Sequence, residues 1–214
     1  MKLLFATSRA LLLGWLLLLA LPTLAAKKPR KSKRDELVTI STSLGTIRLV
    51  LFSDTPLHRA NFLKKAKEGY YTGTTFHRVV PNFMVQGGDA NSKDNDPTND
   101  GQGAPTDATV PAELAAGHRH DYGAVAAARQ ADAVNPGRAS NASQFYLVEN
   151  HQGTHFLDGS YTVFGQVING LEVLDKIAAL PRDGRDRPLT DLKMTVTVEK
   201  LKKRKITQLY GYSY

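Results

Sequence analysis

The hydrophobic stretches of this chain are mostly short β-rich runs, one of them with strict period-two alternation, and two stretches carry a helical period. Leu37 to Thr42 and Thr46 to Phe52 are β-rich runs separated by Ser43-Leu44-Gly45, which predicts a hairpin with Gly45 in its turn. Asp54-Thr55-Pro56 predicts a helix start, with Asp54 or Thr55 as the cap and Pro56 in the first turn. Leu57, Ala60, Phe62, Leu63 and Ala66 follow at helical spacing, Lys64, Lys65 and Lys67 face outward, and Gly69 ends the helix. Thr74 to Val80 and Asn82 to Gln86 predict short strands around Pro81, stopped by Gly87-Gly88. Tyr122 to Ala128, Ser143 to Val148 and Tyr161 to Val167 are further strands. Asn169 to Leu180 predicts a second helix with Leu171, Val173, Leu174, Ile177 and Ala178 as its apolar stripe and Pro181 as its stop. Met194 to Lys200 is a closing strand that contains the strict alternation TVTVE, and Asn91 to Pro111, rich in Asn, Asp, Gly and Pro, is loop.

About eight short strands and two helices predict a mainly β fold, a closed eight-stranded antiparallel β-barrel capped by two α-helices. No internal repeat and no second domain is visible. Residues 1–26 predict a secretory signal peptide. Lys2 and Arg9 form its positive end, Ala10 to Leu21 its apolar run, and Thr23-x-Ala25 places small residues ahead of a cut after Ala25, or after Ala26. The alternative is an uncleaved anchor, against which the run is shorter than the roughly 20 residues that span a bilayer. Residues 27–36 predict a solvated basic linker, 37–200 the folded domain, and 201–214 a basic, tyrosine-rich C-terminal tail whose tyrosines either pack back on the domain or bind something.

Composition changes this picture in two places. The chain has 214 residues, 42% of them hydrophobic and 22% charged, which suits a globular domain. It has no cysteine, so disulfides, a thiolate nucleophile and a zinc ribbon are excluded. The net charge of +8 resides in the ends: Leu37 to Lys200 holds 16 basic and 18 acidic residues, a balance of −2. A weakly acidic body argues against a nucleic-acid-binding domain. Asp96 to Asp107 spaces oxygen side chains somewhat like a calcium loop, but with two prolines and no flanking helices it reads as solvated loop. His118 and His120 could share one face of a strand, without a third ligand, and read as surface residues.

Three blocks carry the chemistry: FHRVVPNFMVQGGD at 76–89, ASQFYLV at 142–148 and FLDGSYTVFGQV at 156–167. In this order, inside this pattern of strands and helices, they resemble the cyclophilins over about Leu37 to Lys200. The resemblance implies a peptidyl-prolyl cis/trans isomerase. The X–Pro amide rotates over a barrier of roughly 18–20 kcal/mol set by conjugation, and its isomers differ by only about 0.5–1 kcal/mol. A catalyst therefore needs no nucleophile, metal or cofactor, and none is expected. It must favour the twisted amide, whose prolyl nitrogen lone pair is free only in that state.

By the resemblance, Arg78 is the catalytic cation and Gln86 holds it and contacts the substrate carbonyl region. Phe83, Met84, Tyr146, Phe156 and Leu157 form the apolar pocket for the proline ring, and Ala128 and Gln144 line the groove. Arg129 stands where the family contacts substrate through backbone. Phe156 stands where a Trp is frequent, Tyr161 where a His closes the pocket wall, and Tyr146 where a Phe is frequent. These departures look like the bacterial exported, periplasmic branch. They imply weak cyclosporin binding, since Phe lacks the indole N–H donor. The expected partners are proline-containing segments of unfolded or newly exported polypeptides. No nucleic acid is expected, membrane contact only through an uncleaved leader, a periplasmic or secreted location, and a monomer.

Overall fold

The computed structural model of the protein describes residues 32–103, 108–114 and 117–214. The expected signal peptide, the linker up to residue 31 and residues 104–107 of the expected loop lie outside them. Strands β1 (Arg34–Thr42) and β2 (Gly45–Leu51) form the predicted hairpin, with Gly45 at φ +135°. Strand β1 starts ahead of Leu37, inside the expected linker. Its acidic residues explain this: Arg59 donates to Asp35 at 2.7 Å and to Glu36 at 3.2 Å, and Lys67 also pairs with Glu36.

Helix α1 (Pro56–Lys67) follows as predicted, with Phe62, Leu63 and Ala66 buried. Its capping differs from expectation. Thr55 stands at the N-cap without a side-chain bond to the helix, and the free N–H groups of Leu57 and His58 donate instead to the Glu113 carboxylate, each at 2.9 Å. An acceptor from a distant loop thus satisfies the orphan donors of the first turn.

Strands β3 (Arg78–Val80) and β4 (Met84–Gly87) form a tight hairpin. A long irregular segment contains β5 (Thr109–Val110), then come β6 (Ala124–Ala127), β7 (Ser140–Asn141), β8 (Phe145–Val148) and β9 (Val163–Asn169). Helix α2 (Leu171–Ala178), β10 (Thr195–Lys202) and α3 (Lys203–Tyr210) complete the chain. Eight strands form one antiparallel sheet in the order β10-β1-β2-β9-β6-β8-β4-β3, and β5 pairs with β7.

Among the described residues no ladder joins the end strands β3 and β10. The segments just ahead of each strand meet instead. Thr75 bridges Lys193, Gly73 N–H donates to Met194 O at 2.9 Å, Met194 N–H to Thr74 O at 2.8 Å, and Phe76 N–H to Leu192 O at 3.1 Å. The free edge of β3 is already occupied: Val79 N–H donates to Asp186 O at 2.8 Å.

The main core lies on one face of the sheet. Val38, Ile40, Ile47, Leu49, Val85, Val125, Phe145 and Leu147 point into it and meet Phe62 of α1 and Leu174 and Ile177 of α2. The expected tail is structured. Leu201 ends β10, and Ile206 of α3 is fully buried against Leu37 and Val50, with Tyr210 and Tyr212 packed on the same cluster. Leu37 of β1 and Val50 of β2 are apolar residues on the second face, and the terminal helix covers them, which makes α3 a third helix beyond the two expected. Among the described residues no helix is long and apolar enough to cross a membrane.

Candidate active site

Period-two geometry builds the site. In β4, Val85 faces the core while Met84 and Gln86 face away; in β8, Phe145 and Leu147 face the core while Tyr146 and Val148 face away; in β6, Val125 and Ala127 oppose Ala124 and Ala126. Arg78, Gln86, Tyr146 and Ala126 stand opposite one another in register across β3, β4, β8 and β6. On this second face Met84, Tyr146, Val148, Ala126 and Val163 form a separate apolar cluster, flanked by Phe83, Leu157 and Tyr161.

A cavity of about 150 Å³ opens above it, and its lining takes in Arg78, Phe83, Met84, Gln86, Ala128, Arg129, Tyr146, Leu157 and Tyr161. Two predicted residues stand apart from this lining. Phe156 is 76% exposed and stacks on Phe83 with ring centres 5.8 Å apart, so it forms a rim rather than a wall of the pocket. Gln144 lies beside it, accepting from Gln86 Nε2 at 2.9 Å and donating to Gly101 O at 3.1 Å. Gln86 is therefore tied to Arg78 by strand register, and its amide bond goes to Gln144. Gly88 is required next to this strand end. At φ +90° a Cβ would sit 2.6 Å from Ser143 O, so only glycine lets β4 approach the strand beside it.

The polar groups around the pocket are nearly all engaged. The Arg129 side chain is 4% exposed, pairs with Asp132, donates to Ser160 O at 2.8 Å and lies over the Tyr161 ring at 4.2 Å. It is a fixed wall of the cavity. Tyr146 and Tyr161 meet edge to face at 6.1 Å. Arg78 is different. Its nearest partner is Asp186, 3.8 Å from Nε, which is too long for a hydrogen bond, and its side chain is 42% exposed. Asp186 has φ +64°, a conformation Asp tolerates better than most residues, and this turn sets it beside Arg78.

Sequence patterns missed a buried chain behind the pocket. His120 has no exposed surface and is not a surface residue. Asp158 Oδ1 accepts from both its backbone N–H, at 2.8 Å, and its Nδ1–H, at 2.7 Å. That leaves Nε2 to accept from the Tyr146 hydroxyl at 2.9 Å. His118 points elsewhere, stacked on Phe52 at 4.0 Å and 2.7 Å from Asp54. Burial holds the His120 imidazole below its usual pKa and raises Tyr146 well above its own. Burial also works on Asp158, upward, but the N–H donors of His120 outweigh it and keep the carboxyl low. The only signals were the Asp in FLDG and the Tyr in ASQFYLV.

A group elsewhere, Glu149, His151 and Asp175, brings three possible metal-ligand atoms within 4.8 Å of one another. One oxygen of each carboxylate already takes part in hydrogen bonding. Asp175 Oδ1 accepts from Tyr122 at 2.7 Å and lies 3.2 Å from His151 Nε2, and Glu149 Oε2 accepts from Asn82 N–H.

A sequence profile described as "Cyclophilin type peptidyl-prolyl cis-trans isomerase/CLD" matches residues 37–199. The chain belongs to the cyclophilin family. It is an enzyme of that class, a cyclophilin-type peptidyl-prolyl cis-trans isomerase. The peptidyl-prolyl cis-trans isomerase ppi1 of Schizosaccharomyces pombe is 36% identical over 168 residues, covering 75% of this chain and 97% of the relative. The peptidyl-prolyl cis-trans isomerase-like 2 of Rhizopus delemar is also 36% identical, and there the match spans 77% of this cyclophilin but only 29% of the relative. Among solved structures, the cyclophilin type isomerase of Cryptosporidium parvum has a TM-score of 0.66 at 27% identity, covering 78% of this chain and 98% of the other. The same protein crystallised in the presence of the dipeptide Ala-Pro matches with a TM-score of 0.65.

Three buried imidazoles make this cyclophilin acid-sensitive. His58, bonded to Glu113 and Ser140, and His120 are both held below the usual value by burial. His77, 6% exposed and with neither ring nitrogen hydrogen-bonded among the described residues, is lowered by burial from 6.5 to about 4. A folded pKa below the unfolded one means that the unfolded chain binds more protons. The stability is complete above pH 6.5 and is lost as the pH falls towards 4. His77 alone carries on the order of 3 kcal/mol of this. Urea unfolding at pH 7, 5.5 and 4.5 will show a falling midpoint for the wild type and a shallower fall for His77→Gln; a flat profile, or equal slopes, rejects the assignment.

Proposed function

We propose that the groove holds an extended X–Pro segment with the proline ring in the pocket of Phe83, Met84, Tyr146 and Leu157, and that Arg78 catalyses rotation about the X–Pro bond. The observation that carries this is a contrast in hydrogen bonding: the side chains of Gln86, Gln144, Arg129 and Tyr146 each hydrogen-bond to the protein, whereas the Arg78 guanidinium makes no side-chain hydrogen bond among the described residues and borders the cavity. In a planar X–Pro amide the nitrogen lone pair is delocalised and accepts poorly. As the bond twists, the nitrogen becomes pyramidal and basic, and an N–H of Arg78 donates to it. That bond is stronger in the transition state than in either isomer, which is the condition for acceleration. Gln86, fixed by Gln144, orients the carbonyl side of the peptide, and the Tyr146 ring is held by His120 as the floor.

The same reading takes the eight-stranded sheet as a closed barrel whose seam is the set of bonds between residues 73–76 and 192–194. It assigns the chain to the exported branch as a monomer in the periplasm or outside the cell, on the strength of residues 1–26, and gives it unfolded or newly exported polypeptides as clients.

Exchange of an X–Pro peptide between cis and trans will be accelerated by the wild type, and Arg78→Ala will lose about a hundredfold or more of kcat/KM. No acceleration by the wild type removes the catalytic reading, and an undiminished Arg78→Ala removes the role of the guanidinium. Cyclosporin will bind weakly and gain affinity in Phe156→Trp; no gain would show that the missing N–H is not the cause. Protein recovered from the cell will begin at Ala26 or Lys27, and an intact Met1 overturns cleavage and with it this basis for export.

A further inference from the structure

The fold brings together two basic runs that lie at opposite ends of the sequence. Strand β1 pairs with β10 so that Arg34 stands directly opposite Lys202, and Lys203 N–H donates to Lys33 O at 3.0 Å. Lys33, Arg34, Lys202, Lys203 and Arg204 line one open cleft of about 630 Å³, and Lys205 continues the run into α3. None of these six cations pairs with a carboxylate among the described residues. The adjacent acids point to other partners: Asp35 pairs with Arg59, and Glu36 with Arg59 and Lys67.

This arrangement is electrostatically unfavourable for the protein alone, on two counts. Like charges directly opposite on neighbouring strands destabilise the pair. The first turn of α3, with no acidic residue and no side-chain cap, places Lys203, Arg204 and Lys205 at the positive end of the helix dipole. Both costs are relieved by an external layer of negative charge.

We propose that this face docks on an anionic phospholipid surface. Three features favour lipid as the source of that charge. Lys27, Lys28, Arg30 and Lys31 precede Lys33 in the sequence and add four more cations that remain after the proposed cleavage. The terminal segment carries exposed apolar groups, Leu209 at 55% and Tyr214 at 51%, with Leu209 one helical turn beyond Lys205. Basic groups beside apolar ones suit the boundary between headgroups and acyl chains. The body from Leu37 to Lys200 is weakly acidic, with no matching basic surplus to extend a polynucleotide track. The proposal does not depend on the isomerase mechanism.

The test uses the full chain with Leu16→Gln, Leu17→Gln, Leu18→Gln and Leu19→Gln, so that the apolar run cannot insert. Co-sedimentation with phosphatidylcholine vesicles containing phosphatidylglycerol will show binding that weakens with salt, and vesicles of phosphatidylcholine alone will bind little. Adding Lys202→Gln, Lys203→Gln, Arg204→Gln and Lys205→Gln will weaken binding about tenfold or more, with turnover of a soluble X–Pro peptide unchanged. Replacing the three lysines with arginine will preserve binding. If the fourfold change unfolds the chain, the pair Arg34→Gln and Lys202→Gln decides on the same vesicles. Unchanged binding after loss of the charges would assign all of it to residues 27–31 and overturn the proposal. So would equal binding to uncharged vesicles, or tighter binding to a single-stranded RNA than to the anionic vesicles.

Discussion

The structure depends on strands β4, β8 and β6 being apolar on both faces. A hydrogen-bonded strand sends successive side chains to opposite sides, so each of these strands must satisfy two environments at once. Phe145 and Tyr146 show the division most clearly. Phe145 packs into the core against Phe62 and Tyr71, and the next residue, Tyr146, forms the floor of the groove. Register is consequently tightly specified. A slip of one residue in β8 would put the tyrosine hydroxyl in the core and a phenylalanine in the groove. The face that carries the candidate active site is thus the second product of the same alternation that fills the core, and it needs no inserted loop to build its floor.

Around that floor the polar groups are arranged so that very few are left over. Asp158 fixes His120, which fixes Tyr146; Gln86 fixes Gln144, which reaches the Gly101 carbonyl; Arg129 is held by Asp132 and Ser160. Buried polar groups without partners are costly, and these networks avoid that cost while making the pocket walls rigid. A rigid pocket matters for a reaction whose catalyst gains only from what differs between the planar and twisted amide. Walls that yielded would accommodate both states equally well.

Much of this was legible in the sequence, and the failures have physical reasons. Strand positions followed from β-rich runs between turn residues and α1 and α2 from helical spacing, and the resemblance carried by the three motif blocks named most of the residues that line the cavity. Phe156 was expected inside the pocket because the resemblance to the cyclophilins implies it, yet it sits at the rim and its neighbour Leu157 inside. His120 read as a surface residue because nothing local reveals that Asp158, 38 residues later, will accept its proton. Glu113 as the cap of α1, and α3 as the cover for Leu37 and Val50, are contacts between distant segments with no local signature. Asp186 beside Arg78 depends on one residue's backbone conformation, which the string of letters does not display.

The pairing of β1 with β10 joins the first strand of the domain to the last. Such a contact spans almost the whole folded chain, and loop-closure entropy opposes it until most other strands are in place. During synthesis, one edge of β1 stays unpaired until residues 195–202 have emerged, and the outward-facing Leu37 and Val50 stay uncovered until α3 follows. The folding domain therefore reaches its final form only after residues 195–210 are available, and these late residues are the ones that complete it.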